Sequence, residues 1–152
     1  MRLHRLPRLL LASLAALGLT ACGVAFSSTF DGTEMFKGIE VTGDRVEGAE
    51  LTVTVTILQV YPIPVELACY YEDDDDLSDD MQKIAFHDRA LLAGKTTVEA
   101  APEGVKPGDD VERQQVSFTF TPPVAGDYFI ACLTPAAPDN GIGVDFEVKP
   151  RN

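Results

Sequence analysis

The stretch Leu51-Thr52-Val53-Thr54-Val55-Thr56-Ile57 decides the fold. Leu51, Val53, Val55 and Ile57 point to one face of an extended chain and the three threonines to the other, which is period-two alternation. Every residue after Leu51 is β-branched, a composition that crowds a helix and suits a pleated sheet. A strand with one apolar face needs a second layer to cover it, so the segment implies a sheet packed on another element.

The same rhythm recurs on both sides. Val65, Leu67, Cys69 and Tyr71 repeat it after the Tyr61-Pro62-Ile63-Pro64 connection. Val116, Phe118 and Phe120 follow, then Tyr128, Ile130 and Cys132, then Val144, Phe146 and Val148, with weaker candidates at Phe36 to Val41 and Thr96 to Ala100. Short one-faced strands separated by Gly, Pro and Asp predict an all-β fold over residues 36–150: an antiparallel β-sandwich of six to eight strands. One segment breaks the rule. Ser78 suits a helix cap, Asp79 and Asp80 its first turn, and Met81, Ile84, Ala85, Leu91 and Leu92 recur at helical spacing before Gly94. This predicts a short helix over about 79–92, with a strand through Ile84 and Phe86 as the competing reading.

From Phe118 to Cys132 the chain resembles the strand, turn, strand corner of immunoglobulin-like domains, and the overall strand rhythm agrees. Tyr128 lies four residues before Cys132, where the immunoglobulin tyrosine corner has two, and the chain has no tryptophan. The resemblance therefore implies a generic immunoglobulin-like or fibronectin type III-like sandwich. The tyrosine spacing is also similar to that of cupredoxins, but Leu133 to Gly143 holds neither the histidine nor the methionine a blue-copper site takes from that region.

At the N-terminus Arg2, Arg5 and Arg8 precede the apolar run Leu9 to Leu19. Such a run rises only about 16 Å as a helix against roughly 30 Å of hydrocarbon, so it reads as a secretory signal over 1–21 and not as a permanent span. Leu19-Thr20-Ala21-Cys22 resembles the lipobox of bacterial lipoproteins. That resemblance implies cleavage before Cys22, acylation of its thiol and then of the new amine, including palmitate-type chains, and a membrane anchor. It makes 22–35 a lipidated tether. Gly23 stands where an aspartate commonly retains Gram-negative lipoproteins at the inner membrane, which leans toward outer-membrane delivery.

The expected location is extracytoplasmic, on the cell membrane or outer membrane, where Cys69 and Cys132 are free to form a disulfide. If Leu51 to Ile57 is the second strand, that bridge links strands of one sheet. The chain carries 24 acids and 12 Lys plus Arg. Removing Arg2, Arg5 and Arg8 leaves nine cations, so the processed part is more acidic still. Such a surface repels nucleic acid, and the partners expected are the membrane, through lipid, and an envelope or surface protein.

No catalytic set emerges. Beyond the signal there is one histidine, His87, and no nucleophile motif around Ser27, Ser28, Ser78 or Ser117. The expectation is a non-enzymatic interaction or structural module without a cofactor. Seven acids within Glu72 to Asp80 suggest the alternative, a calcium-binding accessory lipoprotein with Asp73, Asp75 and Asp79 as ligands, although adjacent aspartates usually form a solvated run. Between the last two strands, Asn140-Gly141 is a hairpin signal. By resemblance to the end loops of immunoglobulin-like sandwiches, Pro138, Asp139, Asn140 and Gly141 form the candidate partner-binding loop.

Overall fold

The computed structural model describes residues 35–73, 84, 89–106 and 109–152, without the side chains of Pro138 and Asp139. Seven strands follow one another: β1 (Phe36–Gly43), β2 (Leu51–Leu58), β3 (Val65–Glu72), β4 (Leu91–Val98), β5 (Arg113–Phe120), β6 (Gly126–Thr134) and β7 (Ala137–Val148). They form two antiparallel sheets, one ordered β1-β2-β5 and the other β4-β3-β6-β7. The fourth strand pairs with β3 and not with the three-stranded sheet, giving the three-plus-four division of an immunoglobulin-like sandwich.

The alternation in β2 is the centre of the core. Leu51, Val53, Val55 and Ile57 are fully buried while the intervening threonines are partly exposed. Each such side chain contributes about 1.5–3 kcal/mol on leaving water. The facing layer supplies Leu67, Cys69 and Tyr71 from β3, Tyr128, Ile130 and Cys132 from β6, and Phe146 and Val148 from β7. Four rings gather at one end of this core: Tyr71 lies 4.7 Å from Phe120 and 6.2 Å from Tyr128, and Phe146 packs 5.6 Å from Tyr128 and 5.9 Å from Phe120. Their tilted, edge-on and stacked contacts pack that end of the core with aromatic surface.

β6 departs from one-faced alternation. Phe129, Ala131 and Leu133, on its outer face, are also buried, in a second cluster with Ile84, against which Tyr70 and Ala90 pack. The uninterrupted apolar run from Tyr128 to Leu133 is what a strand covered on both faces requires. β7 makes room for this layer with two glycines: a side chain at Gly143 would overlap the Phe129 ring, and one at Gly141 would meet Leu133 Cβ at 2.9 Å.

The expected helix over 79–92 is corrected at its C-terminal end. Leu91, Leu92 and Gly94 belong to β4, where Leu91 pairs with Tyr71 and Gly94 with Cys69. Gly94 serves close approach and not helix termination, because a Cβ there would lie 2.5 Å from Phe118 Cγ. Ile84 has helical backbone and is fully buried; the other residues of 79–88 lie outside the described residues.

Candidate functional site

Antiparallel pairing sorts the connections into two ends, since strands of eight residues span about 26 Å. The first end holds the start of β1, where the Leu58 amide donates to the Met35 carbonyl at 2.8 Å. The β2–β3, β4–β5 and β6–β7 connections lie there too, because Val65 pairs with Val98, Leu58 with Arg113, and Thr134 with Ala137. The second end holds the β1–β2 and β5–β6 connections, the exit of β3 at Glu72 and Asp73, and the residues after Val148.

At the first end a hollow of about 380 Å³ opens between the β2–β3 and β4–β5 connections, lined by Val60, Pro62, Ala101, Pro102, Glu103, Gly104 and Val105. The Ala101 amide donates to the Tyr61 carbonyl at 2.7 Å, tying the two connections together. The expected partner-binding loop adjoins this hollow, with a different geometry from the one expected. The turn between β6 and β7 falls at Pro135 and Ala136, and Asn140-Gly141 lies inside β7, Gly141 pairing with Leu133. Thr134 pairs with Ala137 and Leu133 with Gly141, so Pro138, Asp139 and Asn140 form a bulge in the ladder. Proline cannot donate to a ladder and favours such a place. Asn140 Nδ2 then donates to the Tyr61 hydroxyl at 3.2 Å, fastening the bulge to the β2–β3 connection.

The second end is knit by Glu47. Its carboxylate accepts from the Ala125 amide and from the Arg151 amide, each at 3.2 Å. The Glu47 amide donates to the Lys149 carbonyl at 2.9 Å and the Gly48 amide to the Pro122 carbonyl at 2.8 Å. Tyr128 donates to the Val124 carbonyl at 2.9 Å, as the tyrosine of an immunoglobulin corner bonds to backbone upstream of itself, and Tyr71 donates to the Thr121 carbonyl at 3.2 Å. Burial pushes both phenols above their ordinary range, and the negative charge of Asp73 adds to the rise at Tyr128. Glu72, whose side chain is fully buried, has Oε1 3.2 Å from Nε of the exposed Arg89, so an ion pair spans the base of the β3–β4 connection.

Cys69 and Cys132 are bonded directly across β3 and β6, within one sheet, with Cα atoms 4.0 Å apart. Both are fully buried. Asp73 is exposed just beyond β3. Asp75, Asp79, His87 and Cys22 lie outside the described residues. Among the described residues no group of three His, Cys, Asp or Glu side chains is placed to hold a metal ion, and no helix is long and apolar enough to cross a membrane. The buried outer face of β6, the Glu72–Arg89 pair and the Glu47 anchor escaped the reading from sequence. Only the first left a signal there, the unbroken run Tyr128 to Leu133.

No family model matches the chain, and no curated protein does. Solved structures similar to it include a superoxide reductase (neelaredoxin) from Ignicoccus hospitalis, at 13% identity over 75% of this chain and 79% of that one, with a TM-score of 0.40. A CARDB domain from Pyrococcus furiosus, in complex with di-metal ions, is 19% identical over 78% of this chain and 90% of that one, with a TM-score of 0.42. A β-glucosidase from Kluyveromyces marxianus, in complex with glucose, matches 74% of this chain and 14% of its own at 13% identity, with a TM-score of 0.44. What those proteins bind or transform stays with them.

Proposed function

We propose that this protein is a cell-envelope lipoprotein, acylated on Cys22 and held at a membrane surface, that presents a non-catalytic immunoglobulin-like module outside the cytoplasm. The observation that carries the reading is the pairing of Cys69 with Cys132. Of the three cysteines in the chain, this leaves Cys22 as the one not engaged in that bridge, and Cys22 is the residue that follows the lipobox-like Leu19-Thr20-Ala21. A buried structural disulfide also fits an oxidising compartment, to which a signal of this kind delivers its cargo. Two or more acyl chains, at about 0.8 kcal/mol per buried methylene, make a stable anchor.

The test is metabolic labelling with palmitate in a bacterial host, followed by mass analysis of the mature protein. The expected result is an N-terminal Cys22 carrying acyl mass, partition into detergent, and loss of both in Cys22→Ser. Equal labelling of the variant, or an unmodified mature N-terminus elsewhere, overturns the reading.

A further inference from the structure

Four strands border the two sheets, β1 and β5 in one and β4 and β7 in the other. A border strand turns unpaired N–H and C=O groups outward, and proteins blunt such edges with charge, proline or a bulge. β1 carries Lys37 and Glu40 and a register shift between Phe36 and Gly38. β4 has Lys95 near its middle and a register shift that leaves Ala93 opposite no residue of β3. β7 contains Pro138 in its bulge, then Asp145 and Glu147. β5 has none of these. Its register against β2 runs unbroken from Arg113 with Leu58 to Phe120 with Leu51, and Gln114 to Thr119 holds no charge and no proline. Among the described residues, β2 is the one strand paired with it. β4 belongs to the other sheet and meets the inner face of β5, where the Phe118 ring lies against Gly94.

Charge marks the same border. The chain holds 24 acids against 12 Lys plus Arg, so copies of it repel one another over most of their surface. From Arg113 to Gly126, however, there is no acid. On the outer face Gln115, Ser117 and Thr119 lie beside Thr56, Thr54 and Thr52 of β2, a neutral strip in which Thr54 and Ser117 share a hydrogen bond of 2.8 Å. On the inner face Val116 and Phe118 pack on the core but stay only partly buried. We infer that β5 pairs antiparallel with β5 of a second copy of this chain, joining two three-stranded sheets into one, with Ser117 at the two-fold axis. In that register Val116 faces Phe118 of the second copy, Gln115 faces Thr119 and Arg113 faces Thr121, so no like charges are opposed. A β-branched residue opposite an aromatic one is a favourable cross-strand pair, and the symmetry forms it twice. Each copy offers one such edge, so the pairing is isologous and closes at the dimer. It needs neither the lipid nor the tether.

Cysteine crosslinking of the full chain, in whole-cell lysate treated with copper phenanthroline, tests the register. Residues directly opposed across an antiparallel pair have Cα atoms about 4.5–5.5 Å apart, within reach of a disulfide. Ser117→Cys should therefore give a linked dimer, mapped to residue 117 by mass, at least about tenfold above Glu40→Cys, an exposed position on the far border of the same sheet. Equal yields, or an adduct of Ser117→Cys with a different protein in place of a second copy, overturn the pairing. Charge at the axis supplies a readout that misfolding does not imitate. Light scattering of the full chain in mild detergent should give a dimer for the parent and a protein mass about twofold lower for Ser117→Asp, which opposes two carboxylates, and likewise for Ser117→Lys. Mixing the two variants should restore the dimer, because each axis then opposes an acid to a base. A parent of monomer mass, a dimer that survives Ser117→Asp, or no recovery on mixing rejects the inference.

Discussion

Gly143 of β7 lies beneath the Phe129 ring of β6, so close that a Cβ on the glycine would stand 2.6 Å from Phe129 Cε2 and 3.2 Å from the Ile130 carbonyl oxygen. The ring cannot turn away freely, because it is buried with Ile84, Ala131 and Leu133. Gly143→Ala is therefore expected to destabilise by about 1–3 kcal/mol, and Gly143→Val by more. A drop of several degrees in Tm, against a near-unchanged Glu147→Ala control on the same strand, is the expected outcome in a melt; an unchanged Tm for Gly143→Ala refutes the close-approach reading.

The Cys69–Cys132 bridge closes a separation of 63 residues. In the chain-entropy model such a loop stabilises the native state by roughly 4 kcal/mol, a large share of the total for one small domain. Because both sulfurs are buried between the sheets, thiol reagents should reach them only on opening. The native protein is expected to resist dithiothreitol in buffer and to reduce rapidly near its urea midpoint. The double variant Cys69→Ala, Cys132→Ala should unfold at markedly lower urea than the oxidised parent, and matching midpoints would contradict the assignment.

The one-faced strands were legible because their physics is local. Leu51 to Ile57 alternates, the threonines tolerate water, and the neighbours obey the same rule, so fold class, strand number and the same-sheet disulfide followed. Leu91 and Leu92 misled because two leucines at helical spacing from Ile84 do not reveal that they start an edge strand, a property set by pairing with Tyr71 and Tyr70. Asn140-Gly141 misled in the same way: as a dipeptide it reads as a turn, but Pro135 and Ala136 take that role and Gly141 is spent on clearance for Leu133. The ends of the sandwich were illegible for a deeper reason. Glu47 meets Ala125 and Arg151 across 78 and 104 residues, and no local pattern encodes a contact of that span.

Alkaline pH should weaken the domain through its two buried phenols. Burial raises the pKa of Tyr71 above 10.0, and burial with the Asp73 charge raises that of Tyr128. A group whose folded pKa lies above its unfolded value gives stability that is complete below the unfolded value and lost as pH climbs through the folded one. The urea midpoint is expected to hold from neutrality to about pH 9 and to fall steadily above about pH 10. Tyr71→Phe should make that fall shallower, although it also removes the hydrogen bond to Thr121 and so lowers the midpoint at neutral pH by the equivalent of about 1 kcal/mol. Parallel slopes for parent and variant would assign the alkaline loss to other groups.

Ile84 tests whether the β3–β4 connection is part of the folded core or a dispensable excursion. It is fully buried against Phe129, Ala131 and Leu133, outside the main inter-sheet cluster. The Glu72–Arg89 pair spans the base of the same connection. Truncating a buried isoleucine costs about 2–5 kcal/mol where the surroundings cannot collapse into the space. Since the sheet beneath is held by its own ladder and by the disulfide, the loss from Ile84→Ala should divide unevenly. Amide exchange at Ala90 and Leu91 should quicken strongly, while that of Val53 and Val55 in β2 should change only with global stability. Uniform acceleration across both sets would mean that cover and sandwich unfold as one unit; no acceleration at Ala90 would mean that Ile84 does not hold the connection down.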